Sequence, residues 1–141
     1  MSSYIPIDLR SQIEQADRDR CCYCLTQAVN SGIPLSVDHI LPRVQGGATI
    51  FENVCLACRP CNEFKAALTT AIDPLTGDWV PLFHPRQQDW TDHFAWSEDG
   101  SRVEGKTAVG RATVLALQMN RTMVVVARRR WVSAGWHPPQ D

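Results

Sequence analysis

Apolar positions near the start of the chain are spaced for a helix. In residues 8 to 20, "DLRSQIEQADRDR", Leu9, Ile13 and Ala16 recur at helical spacing among charges, which predicts a short amphipathic helix. The apolar run Val37 to Leu41 is interrupted by Asp38 and His39 and stopped by Pro42, and it predicts a strand. The paired glycines of "QGGAT" mark a loop, after which "NVCL" (53 to 56) predicts a second short strand. A helix is expected from about Pro60, because proline suits a first helical turn, where its missing N–H costs nothing. Its apolar stripe would be Phe64, Ala67, Leu68 and Ala71, with Asn62, Lys65, Ala66 and Thr69 opposite, and "DPLTGD" would end it.

Beyond that point "TDHFAWS" and "RVEGK" flank "EDG", a hairpin signal that puts Phe94 and Trp96 on one face. "RATVLALQM" offers Ala112, Leu115, Ala116 and Met119 at helical spacing. The valines of "TMVVVARRRWV" suit either a buried strand or a helix; a helix is preferred, ended by Gly135 and the prolines after it. The pattern predicts an α+β chain. Residues 1–72 would form the core, and 73–141 an extension of a β-hairpin plus helices packed on it, in one compact domain.

Composition narrows the picture through its cysteines. A chain of 141 residues suits one domain that can bury an ordinary core without staples. Its N-terminus has no apolar stretch resembling a signal peptide, and no run approaches transmembrane length. A soluble, cytoplasmic protein is expected, and there six clustered cysteines favour metal over disulfides. Net charge is −1, but it is unevenly spread. Residues 102 to 131 carry seven basic residues against one acidic, net +6, whereas 73 to 99 carry six acidic against one basic, net −5. The basic stretch suits a polyanion without establishing one.

Cys21-x-x-Cys24 and Cys58-x-x-Cys61 together supply the four thiolates of a tetrahedral structural zinc. Cys22 could replace Cys21, but only one residue separates it from Cys24, a poor knuckle. Cys55 could replace Cys61, but this would leave Cys61 alone on the helix. The set 21, 24, 58, 61 is the consistent one, and Cys22 and Cys55 are read as small buried hydrophobes. Iron–sulfur ligation uses the same ligand type. Around the knuckles lie Asp38, His39, Asn53, Asn62 and Lys65. They offer a carboxylate and an amide oxygen for a hard divalent cation, an imidazole for a general base and a cation for phosphate.

In this order and spacing the chain resembles the HNH endonuclease family, in its variant with asparagine at the third position. The residues that carry the resemblance are Cys21-x-x-Cys24, "VDHILPRVQGG" (37 to 47), Asn53 and "CRPCNEFK" (58 to 65), within roughly residues 18 to 68, about a third of the chain. It implies a ββα-metal fold, with a hairpin carrying Asp38, His39 and Asn53 packed on a helix carrying Asn62. It also implies a structural zinc on the four cysteines and a catalytic Mg²⁺ or Mn²⁺ on Asp38 and Asn62. His39 would be the general base, and Asn53 would brace the loop that orients it. Lys65, Arg43 and Arg59 would bind DNA phosphates. No organic cofactor and no membrane is implied. The extra cysteine of "CCYC" and Cys55, where the family usually has an aliphatic residue, depart from the pattern at no catalytic position.

The C-terminal half resembles an extension found on some small bacterial HNH proteins, which implies no activity of its own. His84, Arg86 and His93 are candidates to supplement the site, although histidines near aromatics are more often structural. Arg128, Arg129 and Arg130 fan over about 200° on a helix, so only one or two of them could touch DNA. The rival to an endonuclease is a non-catalytic, zinc-stabilised nucleic-acid-binding module.

Overall fold

The computed structural model describes residues 4–140. Helix α1 (Ile7–Asp17) buries Ile13 and, one turn later, Asp17, while Ala16 stays exposed. Arg18 closes the helix in the left-handed conformation and the chain enters the first knuckle. There Leu25 N–H bonds Cys21 O at 2.9 Å and Cys21 N–H bonds Thr26 O at 2.9 Å. A single turn, α2 (Ala28–Ser31), leads into strand β1 (Ser36–His39). This pairs antiparallel with β2 (Val54–Ala57), with Asp38 opposite Cys55 and His39 opposite Val54. The first strand ends earlier than the apolar run suggests. Leu41 has left the ladder, and its backbone is held by the Asn53 side chain instead.

The loop between the strands holds two 3-10 turns, Arg43–Gln45 and Phe51–Asn53. Gly46 has φ +91, and a Cβ on Gly47 would lie 1.7 Å from Leu41 O, so both positions of the glycine pair are required.

Helix α3 (Arg59–Lys65) corrects the expectation. It has seven residues and ends where Ala66 takes φ 46, so the stripe Phe64–Ala67–Leu68–Ala71 never forms. Phe64, Ala67 and Leu68 are exposed, and the buried positions are Cys61 and Lys65. Ala71 lies in a hairpin that the periodicity did not reveal, β3 (Thr70–Ile72) with β4 (Trp79–Pro81). Asp73 organises its turn by accepting from Leu75 N–H and Thr76 Oγ1, and it holds Arg111 through two 2.9 Å bonds.

The rest follows the predicted order. After the short turn α4 (Trp90–His93), β5 (Phe94–Trp96) pairs with β6 (Val103–Gly105), and helices α5 (Ala108–Ala116) and α6 (Thr122–Ser133) follow. Phe94 is buried beside half-buried Trp96, and both stack with Trp90 at ring distances of 5.2 and 5.4 Å. Within α5, Ala112 is buried but Leu115 points to solvent, and Thr113 is buried with its hydroxyl accepting from Phe83 N–H.

One hydrophobic cluster runs from Ile13 through the knuckles and β2 to Phe83, Phe94, Leu117 and Met119, so both halves share a core. Trp90 Nε1 donates to Tyr23 O at 2.8 Å, which seats the extension on the first knuckle. Arg86 clips α1 to β2 through Asp17 and Val54 O. Among the described residues the architecture is a mixture of helices and three two-stranded antiparallel sheets. Among the described residues, no helix is long and apolar enough to cross a membrane.

Candidate active site

The first knuckle, the end of β2 and the start of α3 bring Cys21, Cys24, Cys58 and Cys61 together. Their sulfurs all lie within 4.8 Å of one another and all four residues are buried. A tetrahedral zinc with Zn–S bonds near 2.3 Å has sulfurs about 3.8 Å apart. The 3.6 Å between Cys24 Sγ and Cys58 Sγ matches such an edge. Backbone N–H groups of Tyr23 and Cys24 point at Cys21 Sγ, at 3.4 and 3.5 Å, an arrangement that favours thiolate. Hydrogen bonds from the other three cysteines hold the Cys24 thiol well below its ordinary pKa, whereas burial raises that of Cys21. The cluster is compatible with a structural zinc. Cys55 is fully buried on β2 and Cys22 half-buried beside it, both outside the cluster.

The β1–β2 pair and α3 also bring Asp38, His39 and Asn62 to one open cavity of about 570 Å³, which Arg43 lines as well. Asp38 is 4% exposed and carries three contacts. Tyr23 Oη donates to Oδ2 at 2.8 Å, and Lys65 Nζ reaches Oδ2 at 3.2 Å and Oδ1 at 3.4 Å. Burial raises the Asp38 pKa, and Lys65 and Tyr23 pull it partly back. His39 is half-buried, and its Nε2 shares a 2.8 Å hydrogen bond with Thr49 Oγ1. Burial, then the charge of Arg43, lowers the His39 pKa, which favours the neutral imidazole. Asn53 lies behind, its Oδ1 accepting from Leu41 N–H and its Nδ2 donating to Leu41 O and Ala48 O, so it staples the loop that follows His39.

Lys65 is not where a phosphate-binding lysine has to be. It is 1% exposed, and Nζ donates to His39 O at 3.2 Å and Ile40 O at 3.1 Å besides pairing with Asp38. It straps α3 to the end of β1, and the expected contact with DNA phosphate is corrected to this role. Arg43 and Arg59 are exposed; Arg59 pairs with Glu63 one turn along, at 2.8 Å.

None of the three supplementary candidates lines the cavity. Arg86 pairs with Asp17, His93 Nδ1 shares a 2.7 Å bond with Thr107, which caps α5, and His84 lines a separate cavity with Leu41, Lys65 and Leu68. Arg128 is fully buried, whereas Arg129 and Arg130 are exposed.

The family model described as HNH endonuclease matches residues 21–67. This stretch is an HNH domain. No curated protein matches the chain. The matched segment begins at Cys21, the first of the four clustered cysteines, and ends just past α3, so it contains every residue of the candidate site.

Two residues of the HNH site escape a reading by motif. Thr49 lies in a loop with no period of its own. Tyr23 sits inside the first knuckle, and only its place between cysteines offered a signal. Replacing Tyr23 with phenylalanine removes a hydrogen bond to a buried carboxylate, a contact worth about 1.5–3 kcal/mol. The expected result is a stability loss of that size, read from the urea midpoint, with zinc content unchanged.

Proposed function

We propose that the protein is a metal-dependent endonuclease that hydrolyses phosphodiester bonds of DNA. The observation that carries this reading is the meeting of a carboxylate, a neutral imidazole and an amide at one open cavity. Asp38 and Asn62 would hold Mg²⁺ or Mn²⁺ through oxygen. A carboxylate has roughly four lone-pair sites, and the three contacts on Asp38 leave room for one more. Lys65 neutralises Asp38, so tight cation binding waits on the charge that substrate phosphate brings. When bound, such an ion polarises the scissile phosphate and neutralises the leaving oxygen.

His39 takes the proton from the attacking water. In the tautomer whose Nε2–H donates to Thr49 Oγ1, Nδ1 keeps the lone pair that accepts it. General-base catalysis of this kind contributes about 10²–10⁴-fold. Asn53 keeps the imidazole in register by fixing the loop beyond it. Arg43 and Arg59 bind backbone phosphates. The Arg59–Glu63 pair is exposed and of little net worth, so Arg59 exchanges it readily for a phosphate. A structural zinc on the four thiolates would leave no position for water, so the two metals would have separate roles. Residues 1–72 are the catalytic unit and 73–141 its support. Six free cysteines suit the reducing cytoplasm.

The test is plasmid relaxation by purified protein in Mg²⁺ or Mn²⁺, with EDTA and His39→Ala as controls. Nicking is expected with either metal, abolished by EDTA and reduced at least about 100-fold in His39→Ala. DNA binding without nicking in any divalent metal would establish the rival reading, a zinc-stabilised nucleic-acid-binding module.

A further inference from the structure

The extension lies outside the matched HNH segment, and it buries a charged side chain of its own. Arg128, on the inner face of α6, is 0% exposed. One nitrogen is satisfied: Nη1 donates to Ser101 O at 3.0 Å and to Asn120 Oδ1 at 3.3 Å. Nε and Nη2 are buried with no hydrogen-bond partner. Trp96 offers its ring 5.4 Å from the guanidinium carbon, which is a weak and uncharged contact.

A guanidinium does not surrender its proton, so burial without a counter-charge would cost several kcal/mol. Among the described residues no carboxylate is paired with it; the anionic groups that act on it are Cys24 and Cys61 of the four-cysteine cluster. Four thiolates and one Zn²⁺ carry net charge −2, in a site where all four ligands are buried. A buried cation with no carboxylate partner thus lies within electrostatic reach of a buried cluster of four thiols.

We infer that Arg128 is the counter-cation of the zinc–thiolate centre, acting through its charge on the Cys24 side of the cluster. The inference rests on the zinc reading and is independent of nuclease activity. It assigns the extension a role, since α6 closes the cluster electrostatically from outside the HNH segment. Arg129 and Arg130, on the solvent side of the same helix, are not part of it.

The probe is the full chain loaded with Co²⁺ in place of zinc, whose thiolate-to-metal charge-transfer band reports the electron density on sulfur. Removing a cation and its N–H donors from thiolate raises that density and moves the band to lower energy. Arg128→Met is expected to show this shift and to hold zinc about 10–100-fold more weakly in chelator competition, the usual effect of losing an outer partner of a metal ligand. Arg128→Lys, which keeps the charge but loses the planar fork, is expected to fold, to shift the band less and to retain more zinc; it decides the matter if the methionine variant does not fold. The band is the criterion: an unmoved band in the folded variant overturns the inference, even if affinity falls, because packing alone would then explain the loss. A wild-type chain with no thiolate–cobalt band overturns the zinc reading and this inference with it, while plasmid nicking would still judge the nuclease separately.

Discussion

Stripping zinc from the four-cysteine cluster is expected to unfold the HNH segment, not merely to loosen it. The elements that the cluster joins are too short to stand alone. Helix α3 has seven residues, where isolated helices need roughly 12–15 to be even marginal in water. Strands β1 and β2 have four residues each, and an isolated two-stranded hairpin is marginal at best. The cluster joins the first knuckle, the end of β2 and the first turn of α3, so one ion there would fix three chain segments. Structural zinc contributes an apparent ~10–16 kcal/mol in small zinc domains, as much as the ~5–15 kcal/mol by which a whole domain is usually stable. Amide NMR during titration with a strong chelator should show the resonances of residues 21–67 collapse and return when zinc is restored. Native dispersion persisting after metal analysis shows zinc gone would refute this. Cys58→Ser should behave like the stripped protein, because it removes the ligand at the junction of strand and helix.

What is legible in the sequence is what is local. The two knuckles and the Asp38–His39 dipeptide announce themselves because their chemistry lies within a few residues, and the strands that position them follow from an apolar run and a glycine pair. Lys65 escapes such a reading for a related reason. Helical periodicity carries the stripe on to Ala71, but the chain turns out of the helix at Ala66 and the buried face passes through Cys61 and Lys65. Lysine tolerates that position because its long apolar stem can be buried while its ammonium meets Asp38 and two carbonyls. The β3–β4 hairpin is masked because Ala71 continues the helical stripe and its turn, "DPLTGD", reads equally as a helix stop. The partners of Asp17 and Arg128 lie far along the chain, and no period or motif connects them.

Arg86→Ala is expected to cost about 3–5 kcal/mol, the usual result of removing one partner of a buried ion pair. Arg86 and Asp17 have side chains 11% and 4% exposed and meet through two bonds, of 2.6 and 3.1 Å. The same guanidinium donates through Nε to Phe51 O and Val54 O, and it covers the Phe51 ring at 4.2 Å. Asp17 in turn accepts from Leu56 N–H at 2.9 Å, so the pair joins α1, the turn before β2 and β2 itself. Alanine would leave a carboxylate and two carbonyls buried without their donor, at a place where the next residue upstream is Asn53. The urea midpoint should fall steeply while the zinc:protein ratio stays at one. Adding Asp17→Asn to Arg86→Met should recover part of the loss, because the amide oxygen still serves Leu56 N–H and no unpaired charge remains. Equal stabilities for Arg86→Ala and wild type would mean that the pair is solvated and that the extension holds the HNH segment through its other contacts.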